Sequence, residues 1–270
     1  MRINYIKLFE KNVLRGRVMN TDLNTKKFYE SKKQSKFFSA DKNLQKPEIA
    51  ILEKYINKIK DQNILDIGCG GGRTTEHLRK FSANYTGINY STEMISCCKM
   101  QYPSLTFIQR DVRDLSIFEN NSFDFIFFSF NGIDSINHEG RTKALNEIYR
   151  VLKPDGLFVF SAHNLHYKNI PYIPRIFTSL NPVVIAKNVI KRVIYIKNSK
   201  KEVHTQEYSI INCPSNAYLG YTYYINKGNQ VKQLEKNGFK VLDIVDRNGK
   251  FVDSKKYDSD NLWFYYVCQK

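Results

Sequence analysis

Gln62-Asn63-Ile64-Leu65-Asp66-Ile67-Gly68-Cys69-Gly70-Gly71-Gly72-Arg73-Thr74-Thr75 is the stretch whose reading decides the fold. Residues 64–67 read as a short buried strand. Residues 68–72 read as a glycine loop, and a helix follows from Thr74. Strand, glycine turn and helix together make a ligand site at a sheet edge. Glycine lets the backbone approach a ligand with no Cβ in the way. The dinucleotide fingerprint needs a third glycine three residues after the second. Counting from Gly70 gives Arg73, and from Gly72 gives Thr75, so both frames fail. The phosphate-binding loop needs Gly-Lys-Ser/Thr, which is absent. What remains is Asp66-x-Gly68-x-Gly70-x-Gly72, with a carboxylate near the strand's end.

Outward from this loop the chain alternates. Pro47 suits the first turn of a helix. Ile49, Leu52, Ile56 and Ile59 then recur at helical spacing. After the loop, 74–80 reads as helix and 85–88 as a second strand ending at Asn89. Ser91 caps a helix over 92–100. Residues 107–109 form a third strand, followed by Asp111. The apolar run 123–128 suits the centre of a parallel sheet. A helix over 142–152 closes at Lys153-Pro154-Asp155-Gly156, and 157–161 is the fifth strand. Alternation stops at 162–224, a stretch holding Pro171, Pro174, Pro182 and Pro214. It resumes with a helix over 227–236, Gly238 as its stop, and strands at 240–245 and 263–268. This order predicts an α/β fold: a doubly wound, mostly parallel seven-stranded sheet with an insertion after the fifth strand. The expected organisation is a basic segment 1–46, serving as lead-in or as a lid carrying Tyr29, Phe37 and Phe38. A domain over 47–270 follows, with a substrate-covering insertion at 164–224.

The glycine stretch resembles the first motif of the class I S-adenosylmethionine-dependent methyltransferases, whose fold is Rossmann-like. Tyr85-Thr86-Gly87-Ile88-Asn89-Tyr90-Ser91-x-x-Met94 looks like that family's second motif. Asp111-Val112 looks like its adenine-contacting position. Tyr149-Arg150-Val151-Leu152-Lys153-Pro154-Asp155-Gly156 is similar to its Arg-Val-Leu-Lys-Pro-Gly-Gly turn. Asn237-Gly238-Phe239 and the closing Trp263-Phe264-Tyr265-Tyr266-Val267 strand resemble its C-terminal end. The resemblance covers about residues 47–162 and 225–270. It implies S-adenosyl-L-methionine as cofactor and places roles on particular residues. Asp66 would sit near the methionine ammonium. The amides of Gly68, Cys69, Gly70 and Gly72 would face the methionine and ribose. Asp111 would accept from the adenine amino group, and the Val112 amide would donate to the ring. Tyr90 and Met94 belong to the second motif, and Phe130 and Asn131 would line the methyl-transfer end. One position departs from the pattern. Where the family usually carries Asp or Glu to grip both ribose hydroxyls, this chain has Asn89. An amide offers a single acceptor oxygen and a donor nitrogen, a weaker hold on a diol. Glu93, four residues on, is the alternative.

Charge narrows the partners rather than the fold. The 270-residue chain carries 42 Lys/Arg against 26 Asp/Glu, a formal charge of +16. Anionic partners are favoured: a phosphorylated or lipid-linked glycan, nucleic acid, or an acidic membrane surface. The five cysteines contain no Cys-x-x-Cys pair, so neither a disulfide framework nor a zinc site is indicated, and no metal is expected. Residues 1–20 lack the unbroken apolar core of a signal peptide. No run reaches transmembrane length. The expected location is cytoplasmic.

The acceptor is approached through the insertion and the histidines. Oxygen methylation gains from a general base, most often imidazole. His163, just past the fifth strand, is the catalytic candidate, ahead of His166 and His138. In the insertion, Ile185, Ala186, Val189, Ile190 and Val193 alternate with Lys187, Asn188, Lys191 and Arg192 at helical spacing. Such a basic amphipathic helix packs on its own core, lies at a membrane interface, or clamps an anionic acceptor. The expected function is O-methylation of a small molecule or sugar. The alternatives are an RNA or tRNA methyltransferase, or a binding protein that keeps the fold without turnover. No Asn/Asp-Pro-Pro-Tyr/Phe run follows the fourth strand, which disfavours the amino-methylating DNA enzymes.

Overall fold

The computed structural model describes residues 42–170, 173–212, 218 and 220–270. The lid expectation for Tyr29, Phe37 and Phe38 falls outside these residues. Helices α1 (Lys46–Lys54) and α2 (Ile56–Ile59) lead into β1 (Ile64–Ile67). Then come α3 (Thr75–Leu78), β2 (Tyr85–Asn89), α4 (Thr92–Gln101), β3 (Thr106–Gln109) and β4 (Phe123–Phe128). A 3-10 turn (Gly132–Ser135), α5 (His138–Val151) and β5 (Leu152–Asn164) follow. The insertion supplies α6 (Pro182–Ser199), β6 (Val203–His204), β7 (Tyr208–Asn212) and β8 (Tyr221–Ile225). Helix α7 (Lys227–Lys236) and strands β9 (Lys240–Asp246) and β10 (Trp263–Gln269) complete the order.

The strands run β3-β2-β1-β4-β5, parallel throughout, with β10 antiparallel to β5 and β9 antiparallel to β10. Period-two alternation sends each strand's side chains to both faces. Phe125 and Phe127 join Ile51, Leu52, Ile95 and Cys98 on one face. Ile126 and Phe128 join Leu145, Ile148, Leu234 and Phe239 on the other. Two buried faces, each with its own helices, are what continuous apolar strands require.

The sheet has ten strands, not seven. The additional three come from the insertion. Strand β4 pairs with β5 as far as Phe128 opposite Phe160. Beyond that point β8 pairs with β5, Tyr224 lying opposite His163, while β10 holds the other edge with Trp263 opposite the same residue. A strand has only two edges, so β8 continues along the edge that β4 leaves. Strands β7 and β6 extend outward from it. The insertion therefore stands over the carboxyl end of the sheet.

Other boundaries shift for local reasons. Helix α5 begins at His138 rather than residue 142, because the Asn137 side chain accepts from the Gly140 amide at 2.8 Å. The Lys153-Pro154-Asp155-Gly156 turn lies inside β5 as a bulge, with Asp155 at φ 62°. In the first helical stretch Ile49 and Ile56 are exposed, while Ile51, Leu52 and Ile59 are buried. Tyr55 interrupts the helix and resets its phase.

Candidate active site

The glycine loop turns through three left-handed residues, Gly68, Gly70 and Gly72, with φ of 66°, 56° and 84°. Only some of its amides face a ligand. Gly68 and Cys69 both donate to the Ile88 carbonyl, and Gly72 donates to the Cys69 carbonyl, so these three amides already have partners within the protein. Among the described residues, the Gly70 and Gly71 amides have no such bond. A Cβ built at Gly70 would meet only the Gly68 carbonyl, at 3.8 Å, so that side of the loop is open. At Gly72 it would strike the Tyr102 ring at 2.7 Å, a packing constraint. The Cys69 thiol is buried, and burial beside Cys98 pushes it well up, so it packs rather than reacts.

Asp66 is 1% exposed. Its Oδ2 accepts from the hydroxyls of Thr74 (2.6 Å) and Tyr85 (2.7 Å). Its Oδ1 has no donor among the described residues. Burial pushes this carboxyl up to about 6, against the pull of the two hydroxyls. A buried carboxylate oxygen without a donor, beside an open glycine loop, fits a ligand carrying an ammonium group.

The second motif is arranged differently from the family pattern. The Asn89 side-chain oxygen accepts from the Ser91 amide at 2.9 Å, which commits an acceptor lone pair. Tyr90 follows β2, half-buried, and accepts from Gln109 through its carbonyl. The Met94 side chain is buried at 1% exposure, and its amide donates to the Ser91 hydroxyl as a cap. Asp111 is engaged bidentately by the Arg113 guanidinium, Nε and Nη2 lying 3.0 and 2.7 Å from its oxygens. Its carboxyl is held below the usual range by Arg113 despite partial burial. Val112 packs its side chain into the core.

Just past β4, Phe130 and Asn131 are consecutive non-glycine residues at φ 56° and 55°. Such strain costs about 1–3 kcal/mol per residue and concentrates at functional sites. The Asn131 amide donates to Ser161 Oγ at 2.7 Å, which holds the turn. His163 lies in β5 with its side chain 18% exposed. Its Nδ1 and its backbone amide both lie on Asp134 Oδ2, at 2.8 and 2.7 Å. Asp134 Oδ1 accepts from Arg141 Nη1 at 2.7 Å, and Arg141 donates onward to Gln230 and Gln233. The buried charge of Asp134 thus has a charged partner and a full set of hydrogen bonds. An acceptor at Nδ1 puts the ring proton there and leaves Nε2 with a lone pair. Nε2 is 3.5 Å from Asn131 Nδ2, while Asn131 Oδ1 is buried without a donor. His166 instead packs at a tilt against the Tyr257 ring, and His138 bonds the Tyr223 hydroxyl.

Two anchors of the site escaped the sequence reading. Arg73 forks onto Glu48 with both contacts at 2.7 Å and reaches Ser129 Oγ at 2.9 Å, tying α1 to the loop and to the end of β4. Asp134 and Arg141 were missed because their partnership is not local.

Residues 65–160 match the model of the methyltransferase domain family. Over this segment the chain resembles a methyltransferase domain. An uncharacterised protein of Methanocaldococcus jannaschii is 34% identical over 131 residues, 47% of this chain and 49% of its own length. A ubiquinone/menaquinone biosynthesis C-methyltransferase of Campylobacter jejuni is 35% identical over 107 residues, covering 37% of this chain and 44% of that protein. The chain thus spans about half the length of the curated relatives it matches. Among solved structures, an S-adenosylmethionine-dependent methyltransferase of Clostridium acetobutylicum superposes with a TM-score of 0.58 at 18% identity, over 87% of this chain and 95% of that one. A Burkholderia thailandensis 1,6-didemethyltoxoflavin-N1-methyltransferase, solved with S-adenosylhomocysteine and its acceptor, gives 0.59 at 12% identity, over 94% and 92% of the two chains. The chain therefore has the fold of these structures, the Rossmann-like one that the motifs implied.

Proposed function

We propose that this methyltransferase domain binds S-adenosylmethionine and methylates a hydroxyl of a small-molecule acceptor, with His163 as general base. The observation that carries the reading is His163 Nδ1 on Asp134 Oδ2 at 2.8 Å, with Arg141 behind it. The cofactor supplies an electrophilic methyl group on a sulfonium. Asp66 and the Gly70 and Gly71 amides would hold its methionine end, and Asn89 its ribose. His163 Nε2 would take the proton from the acceptor hydroxyl, so that its oxygen can accept the methyl group whose bond to the sulfonium sulfur breaks, leaving a neutral thioether. Asp134 fixes the ring and balances the imidazolium, and the proton then passes to solvent. Phe130 and Asn131 shape the acceptor end. An anionic or glycan acceptor is in keeping with the chain's net charge of +16.

A second reading is methylation at carbon. It is favoured by the 35% identical relative named a C-methyltransferase. The same base would then remove a proton from an activated ring or enol. Incubation with methyl-labelled cofactor and fractionated small molecules tests both, and fragmentation of the product distinguishes O-methyl from C-methyl. His163→Ala is expected to lower kcat roughly 10²–10⁴-fold with unchanged cofactor affinity. Unchanged turnover removes His163 from the mechanism. Cofactor binding without any product would favour a binding role.

A further inference from the structure

Helix α6 is mounted the wrong way round for a helix that serves only its own core. Over its 18 residues, the buried positions are Asn188 and Ile194. Its inward side is mixed, with hydrogen-bonded amides beside Ile194. Asn188 Nδ2 donates to the Ile176 carbonyl (3.0 Å) and Thr178 Oγ1 (2.7 Å). Asn198 Nδ2 donates to the Tyr218 carbonyl, and the Tyr221 hydroxyl donates to the Asn198 carbonyl, both at 2.8 Å. The apolar side faces outward, with Val183 58%, Val189 41%, Val193 60% and Ile196 51% exposed. The segment leading into the helix adds Phe177 at 83% and Leu180 at 98%. Contiguous exposed apolar surface of this kind marks an interaction site.

Charge identifies the occupant. At helical periodicity Lys197 lies within the outward face, Lys187 borders one flank and Arg192 borders the other. From 156 to 201 the sequence has eight Lys/Arg and no Asp or Glu. A second copy would bring the same positive charge against itself. Residues 1–41 are net positive too and would also be repelled. Nucleic acid answers the lysines but leaves the valines and leucine exposed to water. An anionic lipid surface answers both at once, through acyl chains below and headgroups at the rim. No helix among the described residues is long and apolar enough to cross a membrane, so the helix would lie in the interface plane. Strands β7 and β8, which follow α6, carry this surface to the edge of β5 beside His163.

We infer that the outward face of α6, with Phe177 and Leu180, docks the chain on anionic membrane surfaces. This does not rest on the methyl-transfer reading. The full chain should float with phosphatidylglycerol–phosphatidylcholine vesicles, bind pure phosphatidylcholine much less, and be released by salt. Val189→Asp with Val193→Asp touches only exposed side chains, so circular dichroism and melting should be unchanged while vesicle binding falls roughly tenfold or more. Lys187→Gln with Lys197→Gln should weaken binding roughly fivefold per lysine and flatten its salt dependence. Absence of binding to anionic vesicles would overturn the inference, as would binding that the double aspartate variant leaves intact. A stable dimer dissolved by that variant would assign the face to a second copy. Salt-dependent RNA binding without vesicle binding would assign it to nucleic acid.

Discussion

Asp66 and Asp134 are two buried aspartates near the carboxyl ends of neighbouring strands, and they are solvated in opposite ways. At the proposed cofactor end, Asp66 meets only hydroxyls, from Thr74 and Tyr85, and one of its oxygens lacks a donor among the described residues. At the acceptor end, Asp134 meets Arg141, the His163 ring and the His163 amide, and both oxygens are taken. A carboxylate left with neutral donors resists burial and favours an incoming cation. A carboxylate matched by a guanidinium is satisfied by the protein alone and can be used to orient something else. Under the proposed function, the same side chain is a ligand seat in one place and a positioning device in the other.

The comparison breaks hardest at Arg141. Arg141→Met should cost about 3–5 kcal/mol, because Asp134 keeps its burial and loses its cation. In thermal melts this is a drop of roughly 10 °C. Asp134→Leu combined with Arg141→Met should recover much of that stability while still impairing turnover. No recovery would mean that the pair contributes more than mutual compensation.

Asp66 should respond with the opposite sign. Its folded pKa, about 6, lies above the ordinary value of 3.8. Its contribution to stability is thus fully present below 3.8 and is lost as pH rises through about 6. Asp66→Asn should stabilise the ligand-free chain at neutral pH by roughly 2–3 kcal/mol and flatten this dependence. It should also abolish the rise in melting temperature that S-adenosylmethionine produces by mass action. With Asp66 intact, calorimetric affinity should fall as pH drops below about 6, where the carboxyl takes up a proton. Affinity unchanged across that window would mean that the ammonium is held elsewhere.

The smallest effect is expected at Asn89. Asn89→Asp keeps an oxygen for the Ser91 amide and adds charge toward a ribose diol. Cofactor affinity should tighten by about 1 kcal/mol or less in titration calorimetry. No change at all would shift the ribose contact to another residue.

The cofactor end was legible because its parts are contiguous. Asp66, the loop glycines, Thr74 and the Ser91 cap lie within thirty residues, and each is specified by local backbone geometry. The family's bond pattern was less legible. Neither the Ile88 carbonyl's claim on two loop amides nor Arg113's claim on Asp111 follows from motif spacing. His163 could be picked out by its place after a strand. What positions it could not, because Asp134 lies 29 residues away on a turn after another strand. In the insertion, the aromatic and β-branched runs at Tyr208–Asn212 and Tyr221–Ile225 carried a strand signal that the surrounding prolines and charges obscured.

The sequence alone determined the alternation of strands and helices, the glycine loop with its acid, and the amphipathic character of α6. Those properties are set by periodicity and by short-range backbone preference. Tertiary structure decided which buried acid acquires a cation, where the extra strands attach, and which side of α6 faces water. An amphipathic pattern states that a helix has two faces, and it is silent on which one the rest of the chain can satisfy. Here the neighbouring chain offers two backbone carbonyls and the Thr178 hydroxyl to Asn188 and Asn198, so these amides turn in beside Ile194 and the valines at 183, 189 and 193 turn out.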